Sequence, residues 1–490
     1  MTYKNLFTVL DKSLPYIGII LIISLFLKSF IDIDGTWDTW NYHLPFAARL
    51  WGLVPPEEYI FENQIEYRYQ GFPLLPEFFQ GFFWFIFNRV QATNLVCFTS
   101  FLVYLFFLKK YLQIPVHLSA ISLLAVPMVQ IHSTSSYVDL FTNICISILI
   151  MMTYLFYTNQ INYTKNNGFV VFAAAACAAN SKLQVIPIIL LALCFMIGKF
   201  VSANLNRFRN QHIKKKEIII FLSLGLIGFF VIFWTPIKNT VLYGNPAYPV
   251  KIEVLGTPLN YREGIPNDVP DYLQNSSRII RWIYSILEVN AFDAKRSVLW
   301  VIDQGNVTPG SKAWVMGGYF GIYVLINIAI IGYISCKKSS YKSKAAIYFF
   351  IIISSITAIM PQSHVLRFYM YWIICLVSLN LHLICTDHLV PNENKMVNVR
   401  KLGLTSFLFL TLVILMTKGT YILPHFYSLD ARKRAMIDNR VLEQIHQGDK
   451  VCIVGKQPDT FLYASKFYKT TYSIKAAHNS EECGLRKVIQ

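Results

Sequence analysis

Three carboxylates follow the first apolar stretch of the chain and stand within seven residues of one another. They are Asp32, Asp34 and Asp38, and the side chains of Tyr42 and His43 come shortly after them. A carboxylate within hydrogen-bond reach of a hydroxyl can act as a general base, and partial burial raises its pKa toward that task. Asp38 and Asp34 are therefore candidate catalytic residues, and Tyr42 and His43 are candidate substrate-binding residues. The structural alternative is an aromatic belt at a membrane surface, with Asp38 capping a short helix.

Four more charged residues occur where apolar stretches begin or end, namely Asp139, Lys182, Lys238 and Arg367. An ionisable residue at membrane depth is costly and is by default a functional hypothesis. Asp139 is thus a third candidate catalytic carboxylate. The three cations are candidate ligands of a phosphate, which arginine binds through its planar fork. The structural alternatives are a helix cap for Asp139, a lysine that reaches the membrane surface for Lys182, and an interfacial arginine for Arg367.

The composition indicates the kind of scaffold that holds these residues. Of 490 residues, 54% are hydrophobic and 14% are charged, whereas an average soluble chain has roughly 25% charged residues. These values exclude a soluble globular protein and a disordered one. The net charge of +17 comes largely from basic clusters between apolar stretches. It therefore indicates membrane topology, and no nucleic-acid partner is expected.

The apolar stretches predict an all-α polytopic membrane protein with about eleven transmembrane helices, because a helix needs roughly 20 apolar residues to cross a bilayer. The stretch 168–199 is either two spans or one broken span, since Asn180, Ser181 and Lys182 interrupt it. The predicted spans begin near residues 14, 92, 116, 138, 168, 183, 217, 313, 345, 368 and 402.

Lysine and arginine are densest in the short segments on the side of the N-terminus, which predicts a cytoplasmic N-terminus and an outer C-terminus. Residues 1–419 then form a transmembrane module with two long outer-face loops, 32–91 and 237–312. Residues 420–490 form a small α/β extracytoplasmic segment, with a strand expected at 450–455. Cys452 and Cys483 in this segment can pair if the compartment is oxidising.

Several motifs resemble those of the membrane glycosyltransferases of the type C fold (GT-C), which include the dolichyl-phosphate-mannose mannosyltransferases and the bacterial aminoarabinose transferases. Asp-Thr-Trp-Asn-Tyr-His-Leu-Pro at 38–45 resembles the acidic motif of their first loop, and Ser-Ser-Tyr-Val-Asp at 135–139 resembles their second acidic motif. The segments 243–249 and 363–369 also resemble stretches of this family. Many members have Glu directly after the first-loop Asp, whereas this chain has Thr39.

The resemblance implies a polytopic enzyme that moves a sugar from a polyprenyl-phosphate carrier to a lipid or glycan acceptor on the outer face. It implies that Asp38 is the base, with Asp34 or Asp139 as alternatives, and that the anomeric carbon is inverted. Arg367 and Lys182, with Lys238, are then expected to bind the carrier phosphate. Two locations are compatible with the sequence, a bacterial inner membrane, which is the expected one, and the endoplasmic reticulum.

Two questions stay open at this level. The spacing of Asp32 and Asp34 is that of a divalent-cation motif, and carboxylates suit Mg²⁺ or Mn²⁺. We nevertheless expect no obligatory metal, because this spacing is common by chance. The competing functions are a flippase or transporter for lipid-linked sugars and a polysaccharide polymerase or ligase. The sequence has no repeated halves of the kind many transporters show.

Overall fold

The computed structural model describes residues 3–210, 215–264, 273–287, 318–337, 341–386, 398–456 and 458–489, with the single positions 269, 300 and 302. The described chain is mostly helical. Its α-helices, in chain order from α1 to α19, are Tyr3–Ile31, Leu44–Leu50, Asn63–Gly71, Leu75–Phe87, Leu95–Leu112, Val116–Leu124, Pro127–His132, Asp139–Tyr157, Lys165–Ala179, Ile186–Asn210, Lys215–Ile232, Trp234–Tyr243, Arg278–Leu287, Gly321–Lys337, Tyr341–Ile359, Tyr371–Cys385, Val399–Met416, Leu429–Met436 and Asn439–Glu443.

The apolar helices make this a multi-pass membrane protein. Six described segments are long and apolar enough to cross a bilayer: Lys12–Ile31, Val90–Leu112, Asp139–Tyr157, Leu183–Ser202, Tyr341–Ile359 and Val399–Met416. A seventh span is available if α11 and α12, which are bent by 71° at Phe233, count as one.

The predicted count of eleven spans is not confirmed, although a helix lies at or near each predicted start that the structure describes. The predicted start near residue 313 lies outside the described residues. Between residues 116 and 132 the chain forms two short helices, α6 and α7, with Pro127 opening the second. Helices α14 and α16 are apolar but have only 17 and 15 residues. The stretch 168–199 contains two helices, α9 and α10, of which only the second is apolar and long enough to span.

Helix α8 is the centre of the bundle. It packs against α5, α9, α10 and α16, and every side chain from Asp139 to Phe156 is buried. A helix that is apolar on all sides and surrounded by others can be buried around its whole circumference. The first residue of this helix is Asp139, so the fold places a carboxylate at the middle of one end of the bundle.

The C-terminal residues build a small parallel sheet together with the first loop (residues 32–91). Its strands are β1 (Tyr59–Ile60), β4 (Lys450–Val454), β5 (Ser473–Ala477) and β6 (Lys487–Ile489), in the order β1-β5-β4-β6. The strand expected at 450–455 is thus present as β4. A separate hairpin pairs β2 (Glu253–Val254) with β3 (Thr257–Pro258).

Two further features fix the C-terminal segment, namely a disulfide within it and a contact with the residue that follows α1. Cys452 and Cys483 form a disulfide, as the sequence allowed. Asp32, directly after α1, accepts hydrogen bonds from the backbone N–H groups of His425 and Tyr427 at 2.8 and 2.9 Å. The division at residue 419 stays a prediction, but β1 shows that the sheet of the C-terminal segment includes a strand of the first loop.

Candidate active site

Asp38 and Arg367 form an ion pair at one end of the helix bundle. Asp38 precedes a π-helical turn, Thr39–His43, and Arg367 lies in a 3₁₀ turn, Leu366–Tyr369, just before α16. The Nη1 atom of Arg367 is 3.0 Å from Oδ2 of Asp38, and the two side chains are 17% and 15% exposed. A carboxylate from the first loop is thereby held beside a cation that lies 329 residues later in the chain.

Asp139 and Lys182 form a second ion pair at the same end of the bundle. Lys182 precedes α10, and its ammonium donates to the carboxylate of Asp139. The side chain of Asp139 is only 2% exposed and that of Lys182 is 13% exposed. The Lys182 ammonium also lies 3.7 Å from the centroid of the Phe368 ring, which adds a cation–π contact.

The two ion pairs form one cluster of charges. Arg367 interacts electrostatically with Asp139 as well as with Asp38, and Lys182 interacts with Asp38 as well as with Asp139. Two carboxylates and two cations thus balance each other at a half-buried position. The sequence singled out all four residues separately, and the fold brings them together.

The pKa of Asp38 reflects two opposing effects. Burial raises the pKa of this carboxyl, but Arg367, His43 and a hydrogen bond from Tyr42 together outweigh burial and hold the pKa below its ordinary value of 3.8. Asp38 is therefore ionised at neutral pH, and it is a weak base while Arg367 neutralises it. Burial, followed by the charge of Asp38, raises the pKa of the Tyr42 hydroxyl well above its ordinary value, so Tyr42 stays a hydrogen-bond donor.

Helix α8 also positions the turn that carries Arg367. The side-chain amide of Asn143 donates to the carbonyl of Arg367 at 3.0 Å and accepts from the backbone N–H of Tyr371 at 2.8 Å. The guanidinium carbon of Arg367 lies 5.1 Å from the centroid of Tyr137 and 5.2 Å from that of Phe368. Backbone hydrogen bonds and two aromatic faces therefore fix this cation.

His43 has a partner that sequence reasoning missed. Its Nδ1 atom is 2.7 Å from Oε1 of Glu77 on α4, and the side chains are 3% and 5% exposed. Helix α4 packs closely against α2 at Gly81, which has no side chain. A Cβ added there would lie only 2.7 Å from the carbonyl oxygen of Ala47. The signal that was available is the carboxylate of Glu77, the one charged group in the mostly apolar stretch 75–87.

Two other predicted site residues have main-chain or loop partners. The carboxylate of Asp34 accepts from the backbone N–H of Ser136 at 2.9 Å and from the hydroxyl of Thr39 at 2.8 Å. It thus joins the first acidic motif to the second. The ammonium of Lys238 donates to the carbonyl of Gln70 at 2.6 Å, so its partner is the first loop.

Asp32 and Asp34, which have the spacing of a divalent-cation motif, accept hydrogen bonds from protein groups. Asp32 accepts from Lys28 at 3.0 Å in addition to its two backbone partners, and Asp34 is bound as described. Within the described ranges, no group of three or more His, Cys, Asp or Glu residues is arranged to hold a metal ion. The prediction that no metal is obligatory stays a prediction.

An apolar groove of about 400 Å³ lies between α8, α10 and α15. It extends from Ile188 and Ile356 to Tyr157 and Lys344. Ile188 lies six residues after Lys182, and Ile150, the first lining residue on α8, lies eleven residues after Asp139. Its walls are almost entirely aliphatic and aromatic, which suits a hydrocarbon chain.

The chain has a type C (GT-C), ArnT-like fold. Among the solved structures that share it are two of ArnT from Cupriavidus metallidurans. The apo structure aligns with a TM-score of 0.52 and 11% identity, covering 98% of this chain and 87% of that chain. The structure bound to undecaprenyl phosphate gives 0.50 and 12%, with the same coverage. No family model and no curated protein matches the sequence.

Proposed function

We propose that the protein is a membrane glycosyltransferase that moves a sugar from a polyprenyl-phosphate donor to an acceptor hydroxyl. The observation that carries the proposal is the charge cluster of Asp38, Arg367, Asp139 and Lys182 at one end of the bundle. Cations there suit an anionic phosphate, and a carboxylate suits the incoming hydroxyl. The apolar groove between α8, α10 and α15 suits the polyprenyl chain. The shared fold supports the proposal, since ArnT was solved with undecaprenyl phosphate bound.

The transfer step is a single displacement. Asp38 takes the proton of the acceptor hydroxyl, and the oxygen forms a bond to the anomeric carbon of the sugar. The bond between that carbon and the phosphate oxygen breaks, and the polyprenyl phosphate leaves with the electron pair. Arg367 and Lys182 stabilise the negative charge on the leaving phosphate. The displacement inverts the anomeric carbon.

The remaining candidates have supporting roles in this proposal. Tyr42 holds Asp38 by its hydrogen bond, and His43 is fixed by Glu77 beside it. Lys238 binds the first loop and is proposed to contact the phosphate only if that loop moves. The acceptor is a lipid or a glycan at the outer face of a bacterial inner membrane, with the N-terminus in the cytoplasm and the C-terminus outside.

The test is the transfer of labelled sugar from a polyprenyl-phosphate-linked donor pool in membranes. Asp38→Asn keeps the shape of the side chain and removes the base, so transfer should fall at least about 100-fold. Asp430→Asn is the matched control, because this aspartate is 74% exposed in the C-terminal segment. It should leave transfer unchanged.

Each other outcome has a definite meaning. If transfer occurs and survives in Asp38→Asn, the base is Asp34 or Asp139 and the assignment of Asp38 is wrong. If no lipid-linked sugar is consumed under any condition, the enzyme proposal is wrong, and a flippase assay with the same lipid becomes the next experiment.

A further inference from the structure

The charge cluster is already neutral before any substrate is bound. Arg367 is paired to Asp38 at 3.0 Å, and Lys182 is paired to Asp139. The cations that would bind a phosphate are therefore occupied by the carboxylates of the same site. An incoming phosphate has to compete with them for the two cations.

We infer that the donor phosphate takes the place of Asp38 on Arg367, so that binding of the donor itself releases the catalytic carboxylate. The inference rests on the proposed function and adds an order to it. Before the donor binds, Asp38 is paired and cannot accept a proton readily. After the exchange, Asp38 keeps its partly buried position but has lost its cation, which makes it a stronger base.

The geometry around Arg367 suits an exchange of partners at a fixed cation. The turn that carries Arg367 is held by Asn143, and the aromatic rings of Tyr137 and Phe368 lie beside the guanidinium. These contacts do not depend on Asp38. Asp38, by contrast, is at the start of a π-helical turn in a loop. The cation can therefore stay in place while the carboxylate is replaced.

Lys182 allows the same exchange at the second pair. Its ammonium lies over the ring of Phe368, and that contact remains when Asp139 is replaced by a phosphate oxygen. Asp139 is fixed as the first residue of the buried helix α8, where the positive end of the helix dipole favours its charge without a lysine. The helix dipole thus lowers the cost at which Asp139 releases its cation.

The exchange makes an unusual prediction about binding, which is that removing a carboxylate from the site tightens the complex. The probe is undecaprenyl phosphate, titrated into the purified full-length protein in lipid nanodiscs. Asp38→Asn should bind it on the order of tenfold more tightly than the wild type, the factor that corresponds to a charge-assisted hydrogen bond of about 1.4 kcal/mol. Arg367→Gln should bind it more weakly.

Two controls make the effect specific to the phosphate. Undecaprenol, which has the same chain and no phosphate, should bind the wild type and Asp38→Asn equally. Asp430→Asn removes one negative charge from an exposed position and should leave binding of undecaprenyl phosphate unchanged. If Asp38→Asn does not fold, Asp139→Asn takes its place, because it frees Lys182 by the same logic.

The outcomes separate this inference from the proposed function. If the wild type does not bind undecaprenyl phosphate at all, both are wrong. If the wild type binds it and the asparagine variant binds it no more tightly, Arg367 holds Asp38 and the phosphate at once, and only the exchange is wrong. If the variant also binds undecaprenol more tightly, the substitution has altered the groove, which likewise overturns the exchange.

Discussion

Replacing Arg367 by glutamine should destabilise the protein in a way that depends on pH. The substitution leaves the Asp38 carboxylate, which is only 15% exposed, without its cation. Burial then dominates, and the pKa of Asp38 rises above its ordinary value of 3.8 instead of lying below it. In the wild type the lowered pKa contributes stability above pH 4, and this contribution is lost as the pH falls through the folded-state pKa.

The part of the effect that comes from the stranded carboxylate has a ceiling, which follows from proton uptake. A carboxyl of pKa 3.8 lies about 3.2 pH units below neutrality, and each unit corresponds to about 1.4 kcal/mol. The stranded Asp38 can always take up a proton, so its cost at pH 7 is at most about 4.4 kcal/mol. Because Tyr42 and His43 remain as partners, we expect about half of this ceiling, roughly 2 kcal/mol.

The assay is thermal unfolding in detergent micelles between pH 4.5 and 7.5. In Arg367→Gln, the deficit in the unfolding midpoint should be a few degrees at pH 7 and should become smaller toward pH 4.5, as Asp38 of the variant takes up its proton. The double variant Asp38→Asn/Arg367→Gln should recover much of the loss at pH 7, because no charge is stranded. A deficit that does not change with pH, or a double variant as unstable as Arg367→Gln, refutes the reasoning.

Three further predictions follow from the same contacts. In the proposed transfer reaction, the acid limb of the pH profile of kcat should lie at higher pH than that of kcat/KM. The reason is that donor binding removes Arg367 from Asp38 and raises the pKa of that carboxyl. Acid limbs at the same pH in both profiles would contradict this. Gly81→Ala should lower the free energy of unfolding by about 2 kcal/mol or more, since its Cβ would lie 2.7 Å from a backbone oxygen. Gly225→Ala, where nothing lies within 4 Å, is the control. Equal unfolding midpoints for the two variants would refute the close packing of α4 against α2. Replacing Cys452 and Cys483 by serine should lower the free energy of unfolding by about 2–4 kcal/mol. A reductant should lower the unfolding midpoint of the wild type and leave that of the variant unchanged. A variant midpoint equal to that of the wild type would show that this bridge does not stabilise the segment.

The positions of the charged residues at the ends of apolar stretches were readable from the sequence. An uninterrupted apolar stretch of sufficient length forms a helix in a bilayer because every backbone polar group must be satisfied internally. Asp139 accordingly begins a helix, and Lys182 lies just before one, a position for which the sequence left open two spans or one broken span. The strand at Lys450–Val454 was likewise predictable from local sequence, since β-branched residues between turn residues suffice to indicate it.

The number of spans was less accessible, because hydropathy does not report where a helix breaks. Pro127 divides the stretch after residue 116 into two short helices, and the chain bends by 71° near Phe233. Neither break removes apolar residues, so the mean hydropathy of the sequence does not fall at either position. Such bends are decided by how neighbouring helices pack, as in the contacts of Asn180 with the carbonyls of Val231 and Ile232.

The sequence by itself determined that this is a helical membrane protein and which residue types stand at its helix ends, because both follow from short-range chemistry along the chain. Only the tertiary structure decided the partners. Asp38 pairs with Arg367 across 329 residues, His43 with Glu77, and Lys238 with the first loop. Pairing across such distances depends on which helices pack against α8, and that choice is made by the burial of many side chains at once.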